Sequence, residues 1–317
     1  MSHTAASLLI VICVLLGVLT TAAGLTWAER RLLALVQDRY GPNRVGRFGL
    51  LQVVADLIKI LGKDDWVPPL ADKPLFVIAP AIVVVTTLLS FSIIVFAPGV
   101  TVLDLGVGLL FFLALSALSV YSAALAGWAS SSKYSLLGAL RAAAQMLSYQ
   151  VFMGLSLMGV VMLAGSFNIT EIVRAQRGMW FCIPQFAGFV IFFIAGVAEA
   201  RRLPFDLPEA ENELVAGYHT EYSGMKFGMF YVGEYVGITL ISAFATTFFL
   251  GGWLGPWLPG IVWFLIKTFA FVGVFILMRG SLPRPRYDQL MRLGWRVLLP
   301  LALINILVTA AVVLARR

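Results

Sequence analysis

Read for its apolar and polar positions, the chain falls into long apolar runs set between short polar segments. Runs bounded by charge clusters or by Gly and Pro lie near residues 5–27, 75–97, 105–128, 144–165, 181–198, 231–253, 260–278 and 295–315. Most approach the roughly 20 apolar residues with which a helix spans bilayer hydrocarbon. The pattern predicts an all-α integral membrane protein with about eight transmembrane helices, forming a single polytopic membrane domain over residues 1–317. The fourth and sixth runs open in polar sequence, RAAAQMLSYQ and KFGMFYVGEY, so their starts are the least defined. The first run has no Lys or Arg ahead of it and exceeds the length of a signal-peptide core, which makes it a retained helix.

A different periodicity marks the first connection, LLQVVADLIKILGKDDWVPP. Leu50, Val53, Val54, Leu57 and Leu61 follow helical spacing, while Gln52, Asp56, Lys59 and Lys63 fall on the other face. This predicts an amphipathic helix lying along the membrane surface or packed under a partner. A plain interfacial anchor fits the same pattern. Against it stands Asp56, whose polar face continues into Asp64 and Asp65, because anchors carry mainly basic residues there.

Composition agrees with the pattern. Hydrophobic residues make up 60% of the 317, against roughly 45–50% in soluble domains, and only 12% are charged. The net charge of +7 is unevenly placed: 18 of the 23 Lys and Arg lie in the loops after the first, third, fifth and seventh runs. By the positive-inside rule those loops face the cytoplasm, or the matrix of an organelle, and both termini face the other way. The charge thus reports topology, not nucleic-acid binding.

Several chemistries fall away. Cys13 and Cys182 sit in or beside apolar runs without C-x-x-C spacing, and His3 and His219 are the only imidazoles. That supply makes no zinc, haem or iron–sulfur site, and no glycine loop of nucleotide-binding form is present. The tripeptide at 168–170 has the form of a glycosylation acceptor by chance.

The segment RRLPFDLPEAENELVAGYHTEYSG, residues 201–224, gathers Asp206, Glu209, Glu211, Glu213 and Glu221 beside Arg201 and Arg202. Pro208 suits the first turn of a helix whose positive end would favour Glu209 and Glu211. Glu209 and Glu213 at i and i+4 still repel each other. Carboxylates crowded in a poorly solvated place share protons, with some pKa values raised, which suits them to load and release protons. A solvated loop whose acids balance Arg201 and Arg202 remains open. Within the apolar runs, Glu234 and Lys267 stand out, since ionisable groups there face a polar interior or a partner. For Lys267 the alternatives are a buried counter-ion and a charge pathway.

ERRLLALVQDRYGPNRVG, KYSLLGALRAAAQMLSYQ, PFDLPEAENELVAGYHTEYSGMKFGMFYVGEY and RPRYDQLMRLGW together resemble the membrane-arm heel subunit, designated H, of bacterial respiratory complex I, the proton-pumping NADH:quinone oxidoreductase. The match runs in order from about residue 24 to the C-terminus, and DRYGPNRVG with EYSGMKF sets the chain with the quinone-reducing branch over the related hydrogenase-type complexes. The resemblance implies a place beneath the redox arm, where the chain helps to form a ubiquinone chamber and the first proton-linked charged path. It implies that Glu29, Arg30 and Arg39 line or support the quinone passage and the contact with peripheral subunits. Asp206, Glu209, Glu211 and Glu213, with Glu221, would be the acids between quinone and the membrane axis. Asp56, Lys267, Arg284 and Arg286 would be their electrostatic partners. On this likeness no cofactor sits on the chain itself: quinone is substrate, and FMN and iron–sulfur clusters belong to partner subunits. Its partners are the other membrane-arm and quinone-module subunits and the lipid, with no nucleic acid. Its place is the bacterial inner membrane, with both termini periplasmic.

One position departs from the family pattern. Where SYE is usual, this chain has Ser148, Tyr149 and Gln150. An amide hydrogen-bonds but does not titrate, so the path bypasses this point, another acid substitutes, or the chain is a deliberate variant. A stand-alone ion transporter would also show many spans, but no internal repeat of the kind such folds carry is found.

Overall fold

The computed structural model describes residues 3–208 and 215–315, with side chains from Leu8 onward in the first helix. Glu209, Glu211 and Glu213 lie outside the described residues, as does the predicted helix start after Pro208. Among the described residues the regular structure is helical, with one isolated bridge, Ala97 to Val100. The elements are α1 (His3–Val36), α2 (Gln52–Leu61), α3 (Lys73–Ser90), α4 (Gly108–Ala129), α5 (Lys133–Ala164), α6 (Ile169–Ala175), α7 (Phe186–Glu199), α8 (Gly224–Phe249), α9 (Gly260–Ser281) and α10 (Tyr287–Ala315).

Seven of these helices are long and apolar enough to cross a membrane, and α7 is a shorter apolar helix. The expectation of about eight spans therefore turns on whether α7 crosses. Its 14 residues reach roughly 21 Å at 1.5 Å per residue, short of a bilayer core of roughly 30 Å. Arg202, just beyond its C-terminus, nonetheless pairs with Glu29 near the end of α1 at 3.3 Å. Three crossings by α3, α4 and α5 would leave Arg202 at the wrong end, so α7 supplies the fourth. The remaining depth is covered by irregular chain folded into protein: Cys182 N–H donates to Phe249 O at 2.9 Å and Gln185 is buried. Non-helical backbone is tolerated at such depth where protein surrounds it.

The helices keep the predicted order, but several boundaries differ. The fourth run begins at Lys133 instead of 144 and the sixth at Gly224 instead of 231. Both helices start in polar sequence whose charges sit at the bundle end, where long cationic side chains reach out of the apolar layer. α1 likewise runs on to Val36. α10 starts at Tyr287 and passes through a π-helical turn, Gly294–Leu298. There the Trp295 ring meets Phe152 edge-on, and Tyr149 OH donates to Leu290 O at 2.9 Å.

α8 is the central helix, buried along most of its length among α1, α3, α7 and α9. Polar side chains inside the bundle pin backbone where helices end. Gln145 donates to Ala198 O and Phe205 O at 2.9 and 2.8 Å, which fixes the turn leaving α7. Gly138 lets α5 touch the Gly217–His219 turn, since a Cβ there would meet the Gly217 carbonyl carbon at 2.7 Å. Ser135 then donates to Tyr218 O at 2.8 Å. The predicted surface helix is α2: Leu50, Val54, Leu57 and Leu61 are exposed along one side, and Asp56 on the other pairs with α1.

Candidate functional site

The charged residues meet at the end of the bundle formed by the C-terminal part of α1, the segment after α7, the start of α8 and the end of α9. Glu29 is the node, only 4% exposed. Its Oε1 accepts from Arg202 at 3.3 Å and pairs closely with Arg279. Arg202 also pairs through Nε with Glu234 at 2.5 Å, and its guanidinium lies 4.4 Å from the Tyr235 ring centre. A carboxylate and a guanidinium taken this far from water are retained only when each finds partners, as these do.

Arg30, the next residue, turns to the surface and donates to Asp56 Oδ2 at 2.6 Å, while Gln52 holds the other oxygen at 2.9 Å. The helical step from Glu29 to Arg30 thus divides an inner pair from an outer one that docks α2. Arg39 is exposed and donates to Gln37 at 2.9 Å. With Glu29, Arg30, Tyr231 and Arg279 it lines a cavity of about 440 Å³.

Beyond α7, Arg201 donates to Tyr218 OH at 2.5 Å, and Asp206 accepts from Arg284 at 2.7 Å. Glu221 is half-buried and pairs with no cation among the described residues. Arg286 is exposed at the start of α10. The Tyr222 ring stacks on Phe76 at 4.0 Å, and burial pushes its phenol pKa up.

Sequence reasoning missed Glu199. This last residue of α7 accepts from Ser116 at 2.7 Å and Ser119 at 3.4 Å, with Oε2 buried and unpartnered. It fell between the predicted end of the fifth run and the start of the acidic segment. An acid closing so apolar a stretch as FVIFFIAGVAE was the available signal. Glu199, Ser116, Arg201 and Glu234 line a small inner cavity of about 40 Å³. A further cavity of about 260 Å³, lined by Arg202, Asp206, His219, Tyr231, Glu234 and Arg279, stands between this and the outer one. Neighbouring members share residues: Tyr231 and Arg279 line the outer two, and Glu234 the inner two.

Two candidates lie apart. Lys267 sits at the opposite end of the bundle, where its Nζ donates to the carbonyls of Leu250, Gly252 and Leu254 at 2.6, 3.1 and 2.6 Å. Among the described residues no carboxylate pairs with it. Gln150 projects from α5 and donates to Leu113 O of α4 at 2.7 Å.

Fold and site define a multi-pass helical membrane protein with a buried arginine–carboxylate network at one end. The family model described as NADH dehydrogenase matches residues 8–310, and the chain belongs to this family. It is 64% identical, over 310 residues and 98% of each chain, to the H subunit of the NADH-quinone oxidoreductase of Methylococcus capsulatus (strain ATCC 33009 / NCIMB 11132 / Bath). The resemblance drawn from the four motifs is thereby borne out.

Proposed function

We propose that the chain, as a membrane subunit of an NADH–quinone oxidoreductase, forms part of the quinone chamber and passes the energy of quinone reduction into the membrane as charge. The observation that carries this reading is a set of three separate cavities that share lining residues, Tyr231 and Arg279 between the outer two and Glu234 between the inner two, with a carboxylate lining each. In it, Glu29, Arg30 and Arg39 border the quinone passage from the outer cavity. Asp206, Glu209, Glu211 and Glu213, with Glu221 near them, take up or release protons as the quinone becomes quinol. Glu199 and Glu234 continue the path inward. Asp56, Arg284 and Arg286 set the field around these acids. Groups close together and shielded from water feel one another's charge strongly, so a change at one end alters protonation at the other.

Electrons reach the quinone from an iron–sulfur centre on a partner subunit, supplied in turn by that enzyme's flavin. Other partners are the membrane-arm and quinone-module subunits and the surrounding lipid. The setting is a bacterial inner membrane with both termini on the periplasmic side.

The test is the double variant Glu209→Gln with Glu211→Gln in the assembled complex. Quinone reductase activity and proton pumping should fall together, several-fold, with assembly intact. Full activity in the assembled double variant would return these acids to the role of a solvated loop.

A further inference from the structure

The turn that leaves α7 carries three of the site's charged residues, Glu199, Arg201 and Arg202, close together in the chain. Its own backbone holds it weakly. The last carbonyls of a helix lack partners within it, and here Arg201 N–H returns to Ala198 O at 3.3 Å and Arg202 N–H to Val197 O at 3.4 Å, both longer than an ordinary hydrogen bond. Arg201 takes a φ of 53°, in the left-handed region that side chains disfavour. A residue held in that region persists where its surroundings over-determine it.

One side chain of α5 supplies that constraint. Gln145, at 0% exposure, uses both amide hydrogens, donating Nε2 to Ala198 O at 2.9 Å and to Phe205 O at 2.8 Å. These two carbonyls stand at the two ends of the turn, with Glu199, Arg201 and Arg202 between them. The orientation of the amide follows from its partners, because exchanging its oxygen and nitrogen would set Oε1 against two carbonyl oxygens. As it stands, Oε1 is buried without a partner among the described residues, a cost that packing alone would not incur.

We propose that Gln145 is a positioning residue for the reaction: by holding both ends of this turn it keeps the Glu199 carboxylate on Ser116 and the Arg202 guanidinium between Glu29 and Glu234. The proposal rests on the charge path proposed above, in which these groups carry charge inward. Glu199 follows Ala198 directly and Arg202 stands shortly before Phe205, so slack at either carbonyl passes to one of them. A displacement of about 1 Å in a group set for reaction can cost on the order of a hundredfold in rate. Gln145 lines none of the three cavities, so its effect runs through the turn. The apolar contacts beside it are separate: Met146 lines the inner cavity, and the Tyr149 ring lies 5.9 Å from that of Phe205.

The test is Gln145→Met in the assembled complex, which nearly keeps the volume and removes both donors. Hydrogen–deuterium exchange should quicken in residues 199–206 and stay native in α5 and α8. Quinone turnover should fall several-fold with KM for quinone near native, because no residue of the turn lines the outer cavity. In a double-variant cycle, Gln145→Met should add little to the loss in Glu199→Gln, where a group it positions is already disabled. If Gln145→Met does not assemble, Gln145→Glu takes its place; its protonated carboxyl keeps one donor of the two, so the same changes should appear at smaller size. Native exchange in residues 199–206, native turnover in the Gln145 variant, or losses that simply add to those of Glu199→Gln would each overturn the proposal. Quickened exchange alongside native turnover in Glu199→Gln alone would instead remove the charge path and leave the hold on the turn established.

Discussion

Gln150 shows how one atom type alters what a position can do. Its amide donates to Leu113 O, tying α5 to α4, and a carboxylate can make that bond only while protonated. Glu at this place would therefore be held neutral by its neighbour as well as by its surroundings. The cavities are lined by Glu199 and Glu234 and not by Gln150. Gln150→Glu is expected to leave the protons pumped per electron pair unchanged and to alter the quinone reduction rate little, measured at matched assembly. A large gain would show that the native path lacks an acid there. The position drew notice in sequence because the resemblance leads one to expect an acid after Ser148 and Tyr149, where this chain has Gln150. Glu199 left only its place at the end of an apolar stretch to read, because Ser116 and Ser119, whose hydroxyls bind it, lie some 80 residues away with no mark in the sequence.

Among the elements, α8 and its C-terminal end explain Lys267. The last carbonyls of a helix lack intrahelical partners and carry the negative end of its dipole. From α9, Lys267 reaches the carbonyl of Leu250, the residue that closes α8, and those of Gly252 and Leu254 in the turn after it, and its ammonium also lies 4.4 Å from the Trp180 ring centre. Lys267→Met should leave buried carbonyls unsatisfied at about 1–3 kcal/mol. The expected result is less assembled complex and faster thermal inactivation, with near-native quinone reductase turnover in what assembles. Full assembly with lost turnover would place Lys267 in the charge path instead. A lone lysine in an apolar run is conspicuous in sequence, but a partner made of backbone leaves no residue type to read. The start of α8 was hidden for a related reason. Lys226 is polar in the sequence, yet inside the helix it pairs with Asp65 at 2.7 Å.

For the whole molecule, ion pairs replace counting as the argument for topology. Contacts of Arg202 and Arg279 with Glu29, and of Arg30 with Asp56, hold the first, fifth and seventh loops at one end, in agreement with the basic residues concentrated there. In a chain freed of its own cysteines, Val45→Cys should be labelled only from the cytoplasmic side and Pro98→Cys only from the other; the opposite pattern would invert the map. The order of the apolar helices was legible because apolar length has a direct physical threshold, whereas the short α6 and the meeting of Glu29 with two distant arginines left no such mark. That meeting has a consequence in time. Arg202 follows Glu29 by 173 residues, so at about 5–20 residues per second the ribosome delivers it roughly ten to thirty seconds later. Throughout that interval α1 is in the membrane with an acid whose buried partners do not yet exist. The first helix made is therefore among the last to be locked in place, and the finished charge network records that synthesis has passed α9.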